Sequence, residues 1–495
     1  MYDVLIIGGG ITGAAAAFQL SKYKLNIAVL ERENDVAMGA TKANSAILHA
    51  GYDPKPGTLM ARLNVRGVEL AKGLCQRLDV PYRSCGSFVL ALSEEDRAKV
   101  EELYRRGVEN GVPGLQLLTG EEARSLEPNL ASETVCALHA PTAAICSPWE
   151  FCLALMETAV RNGAELHLNT AVTGLSPIGG AGAEGAGGAS PSPTGQGGWT
   201  VHTDRGELQA RFVVNAAGVE ADAIHDMAAP HDFTITPSRG EYYLLDKSEG
   251  ARVGRVIFQA PSKLGKGVLV APTVHGNLIV GPNATPVNGN DTSTTGEGLR
   301  SVGDAARRSV PSVNLRESIR NFSGVRANTD RGDFILREAA PGFIDLAGIC
   351  SPGLSAAPAI GEYAVELLGK AGLTLEEKTD FICERKRIRF KELSPVEKAA
   401  LVEKEPSYGR VICRCETVTQ GEILAALHGP IPPCSVDGVK RRVNAGMGRC
   451  QGGFCAPRVV ELLSRELGLS PGEIPQDQSG SWLLKEETKG GHVDV

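Results

Sequence analysis

Apolar positions along this chain keep two periods, and the switch from one to the other marks its elements. Residues 2–7, Tyr-Asp-Val-Leu-Ile-Ile, form a short apolar run that stops at glycine, as a parallel strand covered on both faces does. Small and apolar residues from 14 to 20 suit a buried helix, and a second apolar run at 26–30 ends in Glu31. Helical periodicity then predicts helices over 57–78, 93–110, 121–126 and 149–163, with strands at 83–92 and 165–168. Further strands are expected at 199–202, 212–218, 241–245, 267–271, 277–280 and 345–350. Helix-like stretches fall at 295–309 and 315–322, and a long apolar helix is expected from 351 to 368. Short helices close the chain at 419–427, 435–443 and 455–467. Two stretches break the pattern. Residues 174–198 are Gly, Ala, Ser and Pro, too poor in apolar surface to offset ordering, and are expected to be a disordered hairpin tip. Residues 385–410 are charged without a core pattern and read as a linker.

The first strand-to-helix junction carries chemistry. Gly8-Gly9-Gly10-Ile11-Thr12-Gly13 is G-x-G-x-x-G, and Glu31 ends the next strand 18 residues beyond Gly13. Gly8, Gly10 and Gly13 allow a tight turn and bring backbone N–H groups to a pyrophosphate on the helix N-terminus. Glu31 is placed to accept bonds from a ribose hydroxyl. The alternative is a glycine turn that only packs helix on sheet. The fold class is therefore α/β: a Rossmann-like dinucleotide domain, an α+β domain with an antiparallel sheet, and a small helical C-terminal domain.

Composition narrows the setting. A chain of 495 residues exceeds one core. A net charge of −7 argues against a general nucleic-acid binder, and no apolar run approaches the ~18 residues a membrane span needs. The chain opens directly in a strand, so no secretory signal is expected. Twelve cysteines then read as thiols or metal ligands rather than a disulfide framework. Four of them, Cys413, Cys415, Cys450 and Cys455, make a C-x-C…C-x4-C set with 34 residues between the pairs. Such a quartet suits zinc, an iron–sulfur cluster or plain buried thiols; the tight C-x-C favours [2Fe–2S] over structural zinc.

These residues resemble a known family. Gly8–Gly13, Glu31, the Asn44-Ser45…His49-Ala50-Gly51 stretch and Val214-Asn215-Ala216-Ala217-Gly218 resemble the D-amino-acid-oxidase-like superfamily of FAD oxidoreductases. His49-Ala50-Gly51-Tyr52, Lys55-Pro56-Gly57 and Arg239-Gly240-Glu241-Tyr242-Tyr243 look like L-2-hydroxyglutarate oxidases. Residues 413–458, above all Gly446-Met447-Gly448-Arg449-Cys450-Gln451-Gly452, resemble the C-terminal domain of anaerobic glycerol-3-phosphate dehydrogenase large subunits. That domain is of the bacterioferritin-associated-ferredoxin type and implies a [2Fe–2S] cluster on the four cysteines. The resemblance implies FAD along Thr41, Asn44 and Ser45, at Ala217 and Gly218, and at the turn Gly353-Leu354. It implies FAD-binding parts at about 1–80, 145–232 and 326–370, substrate parts at about 81–144 and 233–325, a cluster domain at 411–470 and a tail at 471–495. One departure stands out. Ser351-Pro352-Gly353-Leu354-Ser355 lacks the lysine that glycerol-3-phosphate dehydrogenases usually carry at this turn, and Asp53-Pro54-Lys55 replaces their usual arginine.

By the same resemblance Arg326 grips a substrate anion and His49 is the base; Arg239 and Tyr242 line the pocket. Arg326 otherwise pairs with a structural acid, Arg239 and Tyr242 are otherwise simple sheet residues, and His49 otherwise contacts or links the flavin or sits in the core; His275 is an outside candidate that otherwise ends a strand. The implied activity is an FAD-dependent dehydrogenase for a small anionic hydroxy compound, passing electrons through the cluster to an acceptor protein or partner subunit. An amine dehydrogenase or a non-catalytic electron-transfer subunit is the alternative. The expected location is cytoplasmic, with docking at the inner membrane face open.

Overall fold

The computed structural model describes residues 1–178, 197–261 and 267–485. They divide into one unit of Met1–Glu31 with Ala37–Arg385, and another of Arg32–Val36 with Lys386–Val495.

The larger unit is built on two sheets. In the first, Tyr2–Ile7 pairs in parallel with Ile27–Leu30 on one side and Gly206–Asn215 on the other. Glu165–His167 extends it beyond Ile27–Leu30, and Phe343–Ala347 runs parallel to Gly206–Asn215. Val4 to Ile7 and Ile27 to Leu30 are all buried, as strands covered on both faces require. Every residue of the helix Ile11–Leu20 is buried too. Glycines set the helix spacing. A Cβ on Gly361 would lie 2.6 Å from the Ala15 carbonyl, and one on Gly67 2.0 Å from that of Ser355. The helices Ile11–Leu20 and Leu59–Arg77 therefore pack directly on Gly353–Lys370.

The second sheet is mainly antiparallel. Its centre is the ladder between Ile235–Leu245 and Ser318–Thr329, in register from Ile235↔Thr329. One face packs in a core with Ile47, Tyr242 and Phe258; the other packs with Val302 and Ala306 of the helix Gly296–Ser309.

Several sequence expectations are corrected. Residues 315–322 are helical only over the turn Leu315–Glu317; from Ser318 the long ladder with Ile235–Leu245 overrides the local helical period. That strand runs unbroken through Thr329, so Arg326 belongs to the antiparallel sheet, not to a nucleotide part starting at 326. The strand expected at 83–92 is two, Tyr82–Ser84 and Ser87–Ala91, in different sheets, because the chain turns at Gly86 with φ +70°. The hairpin tip expected at 174–198 is partly strand, Val172–Ile178 paired with Gly198–Thr203, while 179–196 lie outside the described residues.

In the smaller unit the expected linker holds a helix, Pro395–Lys404, started by a Ser394/Glu397 capping box, and buries Tyr408. The expected tail is anchored as well, with Ile474 fully buried. Helices Gln420–Leu427, Val436–Val443 and Ala456–Leu467 surround a core of Ile423, Val439, Val459 and Leu463.

Candidate functional site

The nucleotide cradle is made by missing side chains. Gly8 has φ +110°, and a Cβ there would lie 2.4 Å from the Ala216 carbonyl oxygen. A Cβ on Gly13 would lie 2.0 Å from that of Gly8. No side chain caps the helix at Gly10 and no acid sits in its first turn, so its N-terminal dipole faces an open cradle. Thr41 Oγ1 accepts from the Ile11 N–H at 3.0 Å, and Glu31 Oε2 from Gly9 at 2.7 Å. Asn44 is spent on its own loop: it donates to Ala40 and Thr41 and accepts from Ala46. Ala217 and Gly218 follow the strand Gly206–Asn215 and open the turn Gly218–Glu220, with Gly218 at φ +62°. These residues fit a dinucleotide pyrophosphate and ribose.

A second uncapped helix N-terminus lies at Gly353-Leu354. Ser355 on its first turn accepts from the His49 N–H at 2.7 Å, Asn64 donates to the His49 carbonyl at 2.5 Å, and the imidazole lies 5.4 Å from the Phe258 ring. Ser355 thus joins the Gly353 turn to His49, and Asn64, which motif reading passed over, holds the His49 carbonyl.

The antiparallel sheet supplies the facing wall. Ser238↔Arg326, Gly240↔Gly324 and Tyr242↔Phe322 are register pairs, so alternation puts Arg326 and Tyr242 on one face. Tyr242 stacks on Phe322 at 4.8 Å and meets Ser45 Oγ at 3.1 Å. The Arg326 guanidinium lies over Gly240, where a Cβ would be 2.5 Å from Nη2, and donates to the Asn283 carbonyl at 3.3 Å. Arg239 is a correction. The same alternation points it to the opposite face, where it is buried and bonds Asp291 and Ser293 at 2.6 Å each. His275 lies 3.5 Å from buried Glu150 and stacks on Trp149.

One buried network was invisible in sequence. Asn215 donates to Asp345 at 2.9 Å, and His225 Nδ1 lies 2.7 Å from the other Asp345 oxygen. Burial pushes the Asp345 carboxyl up, against the pull of Asn215 and His225. The triad ties together the ends of two parallel strands, which explains the asparagine in the Asn-Ala-Ala-Gly run. Its partners come from 120 or more residues away, so no local signal exists.

In the smaller unit the four cysteines converge as two pairs. Cys415 and Cys450 sulfurs are 3.6 Å apart, and Cys413 is hydrogen-bonded to Cys455. That bond holds the Cys413 thiol down at about 6. A Cβ on Gly448 would lie 2.2 Å from that of Cys415, so only glycine lets the two ligand loops touch. Among the described residues no three His, Cys, Asp or Glu side chains gather about one point. Asp35 braces the same unit: Arg442 grips it through two bonds of 2.8 and 2.9 Å, and Arg441 adds one at 3.0 Å.

A glycine-cradle α/β sheet joined to an antiparallel sheet, with a cysteine quartet in a separate unit, defines a flavin-type oxidoreductase with an iron–sulfur module. The chain belongs to the FAD dependent oxidoreductase family (DAO), whose model matches residues 3–367, and a BFD-like [2Fe-2S] binding domain matches 411–465. A glycerol 3-phosphate dehydrogenase of Caloramator mitchellensis is 47% identical over 493 residues, 99% of each chain. Homo sapiens mitochondrial L-2-hydroxyglutarate dehydrogenase is 31% identical over 292 residues, 57% of this chain and 61% of that one. Among solved structures, dithionite-reduced L-alpha-glycerophosphate oxidase of Mycoplasma pneumoniae with FAD bound matches with a TM-score of 0.70. Its identity is 31%, over 77% of this chain and 98% of that one. FAD and [2Fe–2S] are thus the cofactors of the two units. No helix of the described residues is long and apolar enough to cross a membrane.

Proposed function

We propose that the chain is a dehydrogenase that oxidises the secondary C–OH of glycerol 3-phosphate and passes the electrons through its cluster to a protein acceptor. The observation that carries this reading is the 47% identity over the whole length, cluster unit included, to a glycerol 3-phosphate dehydrogenase. When bound, FAD on the Gly8–Gly13 cradle supplies a two-electron acceptor, and a [2Fe–2S] cluster on Cys413, Cys415, Cys450 and Cys455 a one-electron carrier. The protein residues do the rest. Arg326 presents a planar fork that pairs with the phosphate, and Gly240 leaves the room for it. Tyr242, fixed by Phe322 and Ser45, closes the wall beside it. His49, held by Ser355 and Asn64, takes the hydroxyl proton at its imidazole.

A 2-hydroxy acid is the second reading, favoured by the L-2-hydroxyglutarate dehydrogenase relative and by the missing lysine at Ser351–Ser355. Either substrate is a small anion with a hydroxyl, as Arg326 and His49 require. The thiolate ligands and the absence of any disulfide suit a reducing cytoplasm, and docking at a membrane face is compatible.

Anaerobic titration tests this. Glycerol 3-phosphate bleaches the flavin and then the cluster bands; bleaching by L-2-hydroxyglutarate alone moves the assignment to the second reading. Bleaching only by glycine or sarcosine makes it an amine dehydrogenase. No bleaching by any of these, with dithionite still effective, makes it an electron-transfer subunit. Arg326→Gln raises the KM of the true substrate about 100-fold, by loss of a charge-assisted pair of about 3 kcal/mol.

A further inference from the structure

The two cysteine pairs differ in depth. Cys413 and Cys455 are 1% and 2% exposed, whereas Cys415 is at the surface and Cys450 half-buried. A cluster held by these thiols therefore has an inner edge and an outer edge, both set by the protein. The outer edge is framed by two loops, 413–417 and 446–455, which touch through Gly448 and Cys415.

Those loops carry a specific chemistry. Their exposed charged residues are Arg414 and Arg449, each immediately beside an outer cysteine; their acid, Glu416, is buried and 3.6 Å from Lys391. In a chain of net charge −7 this is a locally basic rim. Phe454, next to Cys455 and preceded by Gly452-Gly453, is 78% exposed. The fold leaves this ring in water on the loop that carries two ligands. An apolar centre with a charged rim is the anatomy of a transient protein interface.

We propose that this surface is the docking face for a redox protein that is acidic around its own exposed cofactor. Phe454 inserts between the partners, and Arg414 and Arg449 steer the approach and set its orientation. A [2Fe–2S] cluster held by the four cysteines would supply one electron per encounter past Cys415 and Cys450, and the partner's cofactor would gain it, with no bond made or broken. The charge of the two arginines favours an acidic protein over a second copy of this acidic chain. The assignment deepens the reading that electrons leave through the cluster.

The test uses the holoprotein, reduced by dithionite so that an error in the substrate leaves it intact. Binding to an immobilised acidic flavodoxin is measured between about 20 and 500 mM salt, with a basic c-type cytochrome as the counter-probe. Reoxidation of the cluster by ferricyanide and by hexaamminecobalt(III) is followed by stopped flow. The proposal expects flavodoxin binding to weaken at least about tenfold across the salt range, and ferricyanide to react faster than its potential alone explains. Arg414→Gln with Arg449→Gln lowers flavodoxin binding about tenfold, and Phe454→Ser about fivefold, with the cluster's visible and EPR spectra unchanged. If a variant loses its cluster, the wild-type salt series and the two inorganic oxidants still decide. Salt-independent flavodoxin binding, preference for the basic cytochrome, or concentration-dependent self-association abolished by Phe454→Ser would each overturn the assignment.

Discussion

The two redox sites are built by opposite means. In the larger unit the cofactor surface is made by taking side chains away: Gly8 and Gly13 bring carbonyls so close that a Cβ would meet them at 2.4 and 2.0 Å. The surrounding parallel strands and the buried helix Ile11–Leu20 stand on their own core. In the smaller unit the surface is made by adding side chains, four thiols of which two are also core residues: Cys413 and Cys455 pack with Ile412, Val459 and Leu463. The first arrangement leaves an empty cradle intact. The second makes the metal part of the fold, because two of its four ligands are also core side chains.

The largest expected effect tests the first half of that contrast. Gly13→Val drives a branched side chain into the Gly8 carbonyl, which no rotamer relieves. FAD per chain after gel filtration is expected to fall more than about tenfold, while iron and sulfide per chain stay unchanged. Retention of FAD would show that the close approach is not what makes the cradle.

The second half is tested by removing an inner ligand. Cys413→Ser is expected to abolish the cluster and make 386–485 sensitive to protease, with flavin absorbance retained. Cys415→Ser, at the surface, also loses the cluster but leaves the hydrophobic core in place, so its protease sensitivity rises less. Equal sensitivity of the two variants would remove the inner–outer distinction.

How much of this was legible beforehand follows the same divide. The glycine cradle and the two cysteine pairs are short motifs, so Gly8 to Gly13, Glu31 and the four cysteines could be picked out by spacing alone. What pairs across long separations was not legible. The first part of the strand that carries Arg326, residues 318–322, reads locally as helix, because its extended form is decided by Ile235–Leu245 some 80 residues away. Arg239 and Arg326 look equivalent in sequence; only register shows that they face opposite sides. Asp35 carried no signal at all, since its partners Arg441 and Arg442 lie more than 400 residues on.

Asp35 gives a smaller, pH-resolved test of what holds the cysteine unit together. Burial pushes its carboxyl up, but Arg442 and Arg441 outweigh it and hold it below its ordinary 3.8. The folded state therefore binds fewer protons than the unfolded one. The stabilisation is complete above 3.8 and is lost as pH falls through the depressed value. Asp35→Asn leaves two buried guanidinium groups short of a charge and is expected to cost about 3 kcal/mol at neutral pH. The melting of the smaller unit should fall below about pH 4 in the wild type and much less in the variant. Identical pH profiles would mean that the arginines are satisfied by Asp477 and backbone carbonyls alone.

The smallest expected effect sharpens the comparison inside the larger unit, between what holds the proposed substrate wall and what it does. Tyr242 is fixed twice, by stacking on Phe322 at 4.8 Å and by the 3.1 Å bond to Ser45. Tyr242→Phe keeps the ring and removes only that bond, so stability is expected to fall by about 1 kcal/mol. Tyr242→Ala removes the stack as well and is expected to cost about 3–4 kcal/mol. If the hydroxyl also meets substrate, the phenylalanine variant raises KM severalfold at constant kcat, which the loss of a bond to Ser45 alone would not do. A stability change without any KM change would make Tyr242 a brace for the loop that carries His49, and would leave Arg326 as the wall's contact with substrate.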